Sequence, residues 1–200
     1  MFIASAPVGS GSGLMFKELY AAGAQYIIRY GSDDVKNPAP NEKNIIKIID
    51  ETDHLYGFSL ASGLDLNASG KSVFATPEIV SALTEEALER NLLIEKRVCH
   101  HLENYHALRT PEKFSPQRRK VLETQLNSLK RDDKKGSFDM ESAVLFRVAQ
   151  DFKRHAAAVL QTVDKENKSQ GPYEGVNQTQ ALEMEAIFVE YVLSALMRLG

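Results

Sequence analysis

Short apolar segments alternate with amphipathic ones along the chain, and this alternation limits the possible folds more than any other feature. The strand-like segments are 2–5, 25–31, 44–50, 92–101 and 156–164. The helix-like segments are 14–23, 76–91, 115–133, 141–154 and a closing one within 179–199. Strands separated by helical patterns of this length are typical of layered α/β domains. The sequence therefore predicts a three-layer α/β fold.

Length and composition favour one globular domain over residues 1–200, with 43% hydrophobic content. A net charge of -3 and a pI near 6.0 provide no basic field for nucleic acid, so a small polar or anionic metabolite is the expected partner. The chain contains no apolar run long enough to cross a membrane. Its first 13 residues lack the basic start and long apolar core of a secretion signal, so we expect a cytoplasmic protein.

A metal site and a disulfide are not predicted. Cys99 is the single cysteine, which excludes an intramolecular disulfide. The "CHH" segment at 99–101, with His106 nearby, contains metal-ligand residue types. However, neighbouring residues of a strand point to opposite faces, and no second ligand cluster follows. We expect Cys99 to be a small buried residue rather than a catalytic thiol.

The segment "GSFDMESAVLF" (136–146) places Asp139 and Glu141 on either side of Met140, where a strand passes into a helix. Taken alone, acidic residues at this place more often complement the dipole of the helix that follows. A carboxylate site for a ligand is the alternative interpretation, and the residues of the segment leave both open.

The order of several features along the chain resembles that of the nucleoside phosphorylase family, most closely its uridine phosphorylase branch. These features are the "GSGSG" loop (9–13), a helix, "IIRYGS" (27–32), "FDMES" (138–142) and an apolar strand ending in aspartate. The resemblance implies one domain with an αβα fold and a mixed, twisted central sheet. It also implies cleavage of a nucleoside by phosphate to give free base and (deoxy)ribose 1-phosphate.

The resemblance assigns the ribose site to the "FDMES" segment. Glu141 would accept hydrogen bonds from ribose hydroxyls, Met140 would pack on the sugar, and Asp139 would support the site. Bond cleavage develops positive, oxocarbenium-like charge on the ribose, and a fixed carboxylate in a dry site stabilises that charge. The similar segment "LEMEAIF" (182–188) is rejected, because it lies inside a helix with no strand before it.

The resemblance assigns phosphate to Arg29 and Ser32, with the loop residues Gly9 and Gly11 as further candidates. A planar guanidinium matches phosphate oxygens two at a time, and glycine permits close backbone approach. Asp33 and Asp34 stand where the family tends to have small uncharged residues. Because like charges repel a dianion, these residues weaken the expectation that phosphate is used.

The base site and the proton donor are assigned by position only. Tyr105 stands near the place where the family puts an aromatic ring against the base, and Arg109 is a nearby donor. The glutamine and arginine that read pyrimidines in uridine-specific members are not reproduced. Asp164 falls near the aspartate that protonates a purine leaving group, a role that requires a raised pKa. The alternative interpretation of Asp164 is a turn cap.

The resemblance also implies what the protein needs and what it does not. Phosphate is the co-substrate, no metal or organic cofactor is required, and relatives form dimers or hexamers, so a homo-oligomer is expected. Relative to the family we expect a chain shortened at its N-terminus, without the first strand and the Gly-Asp-Pro phosphate loop. Two alternatives therefore stay open, a nucleosidase that uses water and a degenerate homologue that binds nucleosides without cleaving them.

Overall fold

The structure is a computed structural model, and it describes residues 7, 9–33, 45–53, 72–101, 111–132, 136–162 and 178–200. The predicted strand at 2–5 lies outside the described residues.

The described residues form a mixed sheet of six strands. These are β1 (Tyr26–Asp33), β2 (Ile46–Asp53), β3 (Val73–Phe74), β4 (Ile94–His101), β5 (Ser137–Asp139) and β6 (His155–Thr162). The strand order is β1-β6-β2-β4-β5, with β3 added beside β2. The pairs β1/β6, β2/β4 and β4/β5 are parallel, whereas β2 is antiparallel to β6 and β3. The predicted α/β fold with a mixed central sheet is confirmed.

The helices of the described residues follow the amphipathic segments of the sequence. They are α1 (Ser12–Ala21), α2 (Pro77–Glu89), α3 (Pro116–Asp132), α4 (Ser142–Phe152) and α5 (Gln178–Met197). Each boundary lies within two residues of the predicted one. Short 3-10 turns at Gly9–Gly11 and Pro111–Lys113, and the two-residue strand β3, were not predicted.

Apolar side chains of strands and helices form one core. Helix α2 packs against α5 and contacts β2 and β6, while α1 packs against α4, which contacts β2, β4 and β6. The largest fully buried apolar side chains include those of Ile48, Ile49, Leu83, Val144, Phe146, Leu160 and Tyr191. Burying such side chains supplies the main driving force for folding.

The sheet curls until its two end strands meet. Strands β1 and β5 are at opposite ends of the strand order, yet Asp33 of β1 accepts a hydrogen bond from the backbone N–H of Phe138 in β5 at 2.9 Å. Asp33 also accepts a hydrogen bond from the Ser137 hydroxyl at 3.0 Å and pairs with the ammonium of Lys47 in β2. This curl brings the end of β1 close to the start of α4.

We predict that the Tyr191 hydroxyl stabilises the packing of α5 on α2. Tyr191 is fully buried and donates to the Leu83 carbonyl oxygen at 2.8 Å, and burial raises the pKa of its phenol. Tyr191→Phe should lower the free energy of unfolding by about 1 kcal/mol in urea titrations, because one buried hydrogen bond is lost. Tyr26→Phe is the control, since the Tyr26 side chain is 40% exposed. Equal losses in the two variants would contradict the prediction.

Candidate functional site

The turn between β5 and α4 is organised by Asp139. Its carboxylate accepts hydrogen bonds from the backbone N–H of Ser142 at 3.1 to 3.2 Å and from the Ser142 hydroxyl. Asp139 therefore stabilises the first turn of α4, as a carboxylate at a helix N-terminus does. Asp139 thus has the role that acidic residues at a helix start usually have, which is to stabilise the helix that follows.

Glu141 has different partners, which come from distant parts of the chain. The residue is buried, with 8% of its surface exposed. Its Oε1 accepts a hydrogen bond from the backbone N–H of Gly9 at 2.6 Å, and its Oε2 accepts one from Arg29 Nη2 at 2.6 Å. The structure therefore brings Glu141, which the resemblance assigned to the ribose, into contact with Gly9 and Arg29, which it assigned to phosphate.

Arg29 connects the two carboxylates of the turn. Its Nη1 lies 3.0 Å from Asp139 Oδ2, its Nη2 pairs with Glu141, and its side chain is 13% exposed. One guanidinium between two carboxylates leaves a net charge of minus one. An anion that approaches Arg29 must compete with these carboxylates, whereas a developing positive charge is stabilised by them.

The loop before α1 requires glycine at position 9. Gly9 has a φ of +69°, and a Cβ at this position would lie 3.3 Å from the Met140 Cε atom. The Ser12 hydroxyl donates to the Gly9 carbonyl oxygen at 2.7 Å, which holds the loop against the start of α1. Gly11 has an ordinary φ of -61°, and the nearest atom to a Cβ there is Pro7 Cβ at 3.9 Å. Gly9 and Met140 are therefore in close contact beside Glu141.

Ser32 and Asp33 are arranged differently from their expected roles. Ser32 is exposed and lies three positions after Arg29 in the strand, so the two side chains lie on opposite faces of β1. The structure does not bring the Ser32 hydroxyl together with the guanidinium, and its phosphate role stays a prediction. Asp33 is fully buried and paired with Lys47, so its charge is compensated inside the sheet. Asp34 lies outside the described residues.

The base site and the proton donor lie outside the described residues. Tyr105 and Arg109 are assigned to the base and Asp164 to proton donation, and these roles stay predictions.

Several residues around the site were not singled out from the sequence. Lys47 is fully buried in the apolar segment "IIKIID", and a lysine in such a segment is a signal for a buried acidic partner. Ser12 and Ser142 are buried hydroxyls that hold the Gly9 loop and Asp139.

Cys99 is buried as predicted, and burial, followed by the charges of Asp139 and Asp33, raises the pKa of its thiol.

Two further features are absent from the part of the chain that the structure describes. Within those residues, no group of three or more His, Cys, Asp or Glu side chains is placed to hold a metal ion. No helix among them has the length and apolar character needed to span a membrane.

Comparisons with known proteins identify the fold. No family model matches the sequence, and no curated protein is significantly similar to it. Similar solved structures include purine nucleoside phosphorylase from Toxoplasma gondii in complex with immucillin-H, with a TM-score of 0.73 and 18% identity over 98% of this chain and 74% of that one. The 5'-methylthioadenosine/S-adenosyl homocysteine nucleosidase of Campylobacter jejuni has a TM-score of 0.69 and 14% identity over 96% and 78%.

A third similar structure is a futalosine hydrolase mutant of Helicobacter pylori, with a TM-score of 0.66 and 16% identity over 95% of this chain and 78% of that one. At such identities these likenesses establish the fold. The chain has the fold shared by nucleoside phosphorylases and nucleosidases. The expected fold is confirmed, and the activity has to be argued from the site.

We predict that Gly9→Ala destabilises the protein while Gly11→Ala does not. The fold requires a left-handed backbone at position 9, which is unfavourable for alanine, and the added methyl group would lie close to Met140. The free energy of unfolding should therefore fall by about 1–2 kcal/mol. At position 11 the backbone is ordinary, and an added methyl group would make only an ordinary van der Waals contact with Pro7. Denaturant titration of both variants checks the prediction, and similar stabilities would contradict it.

Proposed function

We propose that this chain binds a nucleoside with its ribose against Glu141 and cleaves the N-glycosidic bond with phosphate, releasing free base and (deoxy)ribose 1-phosphate. The observation that carries the proposal is the position of Glu141, a buried carboxylate held between the Gly9 N–H and the Arg29 guanidinium. The fold is one on which solved structures include both phosphorylases and nucleosidases.

Glu141 retains the capacity to bind a sugar. An ionised carboxylate offers about four acceptor positions. Gly9 takes one of them on Oε1 and Arg29 takes one on Oε2. Each oxygen is therefore left with an acceptor position, which suits two neighbouring ribose hydroxyls. Gly9 N–H and Arg29 fix the carboxylate, so that little reorganisation is needed when the sugar binds.

The charge of the site supports bond cleavage. As the bond to the base breaks, positive charge develops on the ribose ring. The net negative charge of Asp139, Glu141 and Arg29 stabilises that charge more strongly than it stabilises the neutral nucleoside. The carboxylate thus contributes to catalysis in addition to binding.

Arg29 supports phosphate as the nucleophile. Its guanidinium lies 2.6 Å from the carboxylate that would hold the ribose, so an anion bound to it would lie next to the sugar. Phosphate oxygen attacks the anomeric carbon, the bond to the base breaks, and the base leaves with the bonding electron pair and takes up a proton. Asp164 is the proposed proton donor when the base is a purine.

Hydrolysis is the second candidate, and a specific observation favours it. Both Nη atoms of Arg29 face carboxylates, and the net charge of the three groups opposes a dianion. A water molecule needs no cationic anchor. In that case Arg29 fixes the carboxylates, and the products are free base and free sugar.

Base recognition, assembly and location complete the proposal. Tyr105 would contact the base, with Arg109 as a donor. We propose a cytoplasmic homo-oligomer that takes small nucleosides and requires no metal or organic cofactor.

The first test concerns Glu141. Glu141→Gln should lower kcat/KM for base release by about 100-fold to 1,000-fold, because a neutral amide stabilises the cationic transition state less than a carboxylate does. Release of free base is followed by chromatography. Glu190→Gln is the control, since the Glu190 side chain is 73% exposed in α5. If the rate with Glu141→Gln equals the wild-type rate, the ribose assignment is wrong.

The second test separates the two nucleophiles. Arg29→Lys keeps the positive charge but loses the planar fork. Under phosphorolysis, the KM for phosphate should rise by about tenfold or more, because charge-assisted hydrogen bonds are worth about 1.5–3 kcal/mol. The KM for the nucleoside should rise less. If base release is independent of phosphate concentration in wild type and variant, phosphorolysis is excluded and hydrolysis is supported.

A further inference from the structure

Asp33 and Lys47 form an ion pair inside the sheet that the proposed chemistry does not use. Both side chains are fully buried. Taking two charges out of water is costly, and well-packed apolar residues often provide as much stability as a buried pair. Stability alone therefore does not explain why this ion pair is buried in the sheet.

Among the described residues, the other hydrogen bonds of the Asp33 carboxylate come from β5. Its carboxylate accepts from the Ser137 hydroxyl at 3.0 Å and from the Phe138 N–H at 2.9 Å. Strand β5 is only three residues long, and its ladder partners are Cys99, His100 and His101 of β4. Asp33 thus holds β5 on the side away from β4.

The position of β5 determines that of Glu141. Only Asp139 and Met140 separate Phe138 from Glu141, whose hydrogen bonds to Gly9 and Arg29 are both 2.6 Å long. Hydrogen bonds weaken steeply when their distance or angle changes. A small shift of β5 would therefore misplace the Glu141 carboxylate.

Strand β1 holds Glu141 directly and also holds β5, the strand that precedes it. Arg29 and Asp33 are four residues apart, so they lie on the same face of the strand. Arg29 holds Glu141, and Asp33 holds the strand that leads to Glu141. Lys47 compensates the charge of Asp33, which allows an ionised acceptor to be buried there.

We propose that the Asp33–Lys47 pair is a positioning device that fixes β5 and, through it, the carboxylate of Glu141. For its effect on catalysis this inference rests on the proposed function. The claim that the pair positions Glu141 does not rest on that function, because the Gly9 N–H, which donates to Glu141, reports directly on the position of the carboxylate.

The test uses the double variant Asp33→Asn with Lys47→Met. It removes both charges at similar volume, so that no unpaired charge is buried. The control is Glu86→Gln, which weakens a second ionic cluster, where the buried Glu86 accepts from Arg90 at 2.6 Å and from Arg198 at 2.9 Å, whose side chains are 33% and 30% exposed. That cluster joins α2 to the end of α5, away from Glu141.

The first readout is amide hydrogen exchange by NMR. In the double variant, the amides of Gly9 and Phe138 should exchange about tenfold faster or more than in wild type, because the neutral amide at position 33 accepts more weakly than the carboxylate and the acceptor of Gly9 is displaced. In Glu86→Gln these two amides should exchange as in wild type. If Gly9 exchange is unchanged in the double variant, or changes equally in the control, the proposal is overturned.

The second readout is substrate discrimination. In the double variant, kcat/KM should fall by about tenfold or more for a ribonucleoside, and less for its 2'-deoxy analogue, because the misplaced carboxylate no longer holds the hydroxyl. A general loss of stability would lower both values equally, as in Glu86→Gln. Equal losses for the two substrates overturn the proposal.

Ser137→Ala covers the case in which the double variant does not fold. It keeps the ion pair and removes one of the hydrogen bonds between Asp33 and β5. Gly9 exchange should then rise severalfold, and no change in Gly9 exchange overturns the proposal. If the wild-type protein cleaves no nucleoside, the proposed function fails, and the exchange readout still decides whether the pair positions Glu141.

Discussion

The carboxylate of Glu141 is the contact on which the arrangement of the site depends. It joins the Gly9 loop, strand β1 and the turn before α4, through two hydrogen bonds of 2.6 Å. The turn before α4 lies more than 100 residues from the other two segments in sequence. Because the carboxylate is buried, each of its hydrogen bonds is stronger than it would be in water. A shift of any one segment therefore affects the other two.

Charge compensation explains why five ionised groups can share this part of the molecule. Arg29 bridges Asp139 and Glu141, and Asp33, which lies further along β1, is compensated by Lys47 of β2. Cys99 lies fully buried beside these acids, and its raised pKa keeps it a neutral thiol. The excess of one negative charge around Arg29 favours a cationic group and opposes a dianionic one. This local charge therefore bears on whether phosphate or water is the nucleophile in the proposed reaction.

Much of the fold could be predicted from the sequence because its periodicity is strong. The five helices have apolar faces or charged segments with clear ends, and their predicted limits are correct within two residues. The turn at "FDMES" was also correctly placed, since an apolar strand and a helix flank it. The short strand β3 was missed, because two residues carry no periodicity.

The long-range contacts of the site could be predicted only in part. Resemblance assigned Arg29 and Gly9 to phosphate and Glu141 to the ribose, but the direct hydrogen bonds of Glu141 with both depend on the curl of the sheet. Strand alternation alone shows that Ser32 and Arg29 lie on opposite faces, an inference available from the sequence. The pairing of Asp33 with Lys47 required the register of three strands, which no local pattern provides.

The most direct test is release of free base from purine and pyrimidine nucleosides and AMP, followed by chromatography with and without phosphate. The account predicts release by folded protein, and phosphate-dependent release with a sugar 1-phosphate product would establish phosphorolysis. Release without phosphate would establish the nucleosidase alternative. No release from any of these substrates, by protein shown to be folded, would contradict the proposed cleavage and favour a homologue that binds nucleosides without turnover.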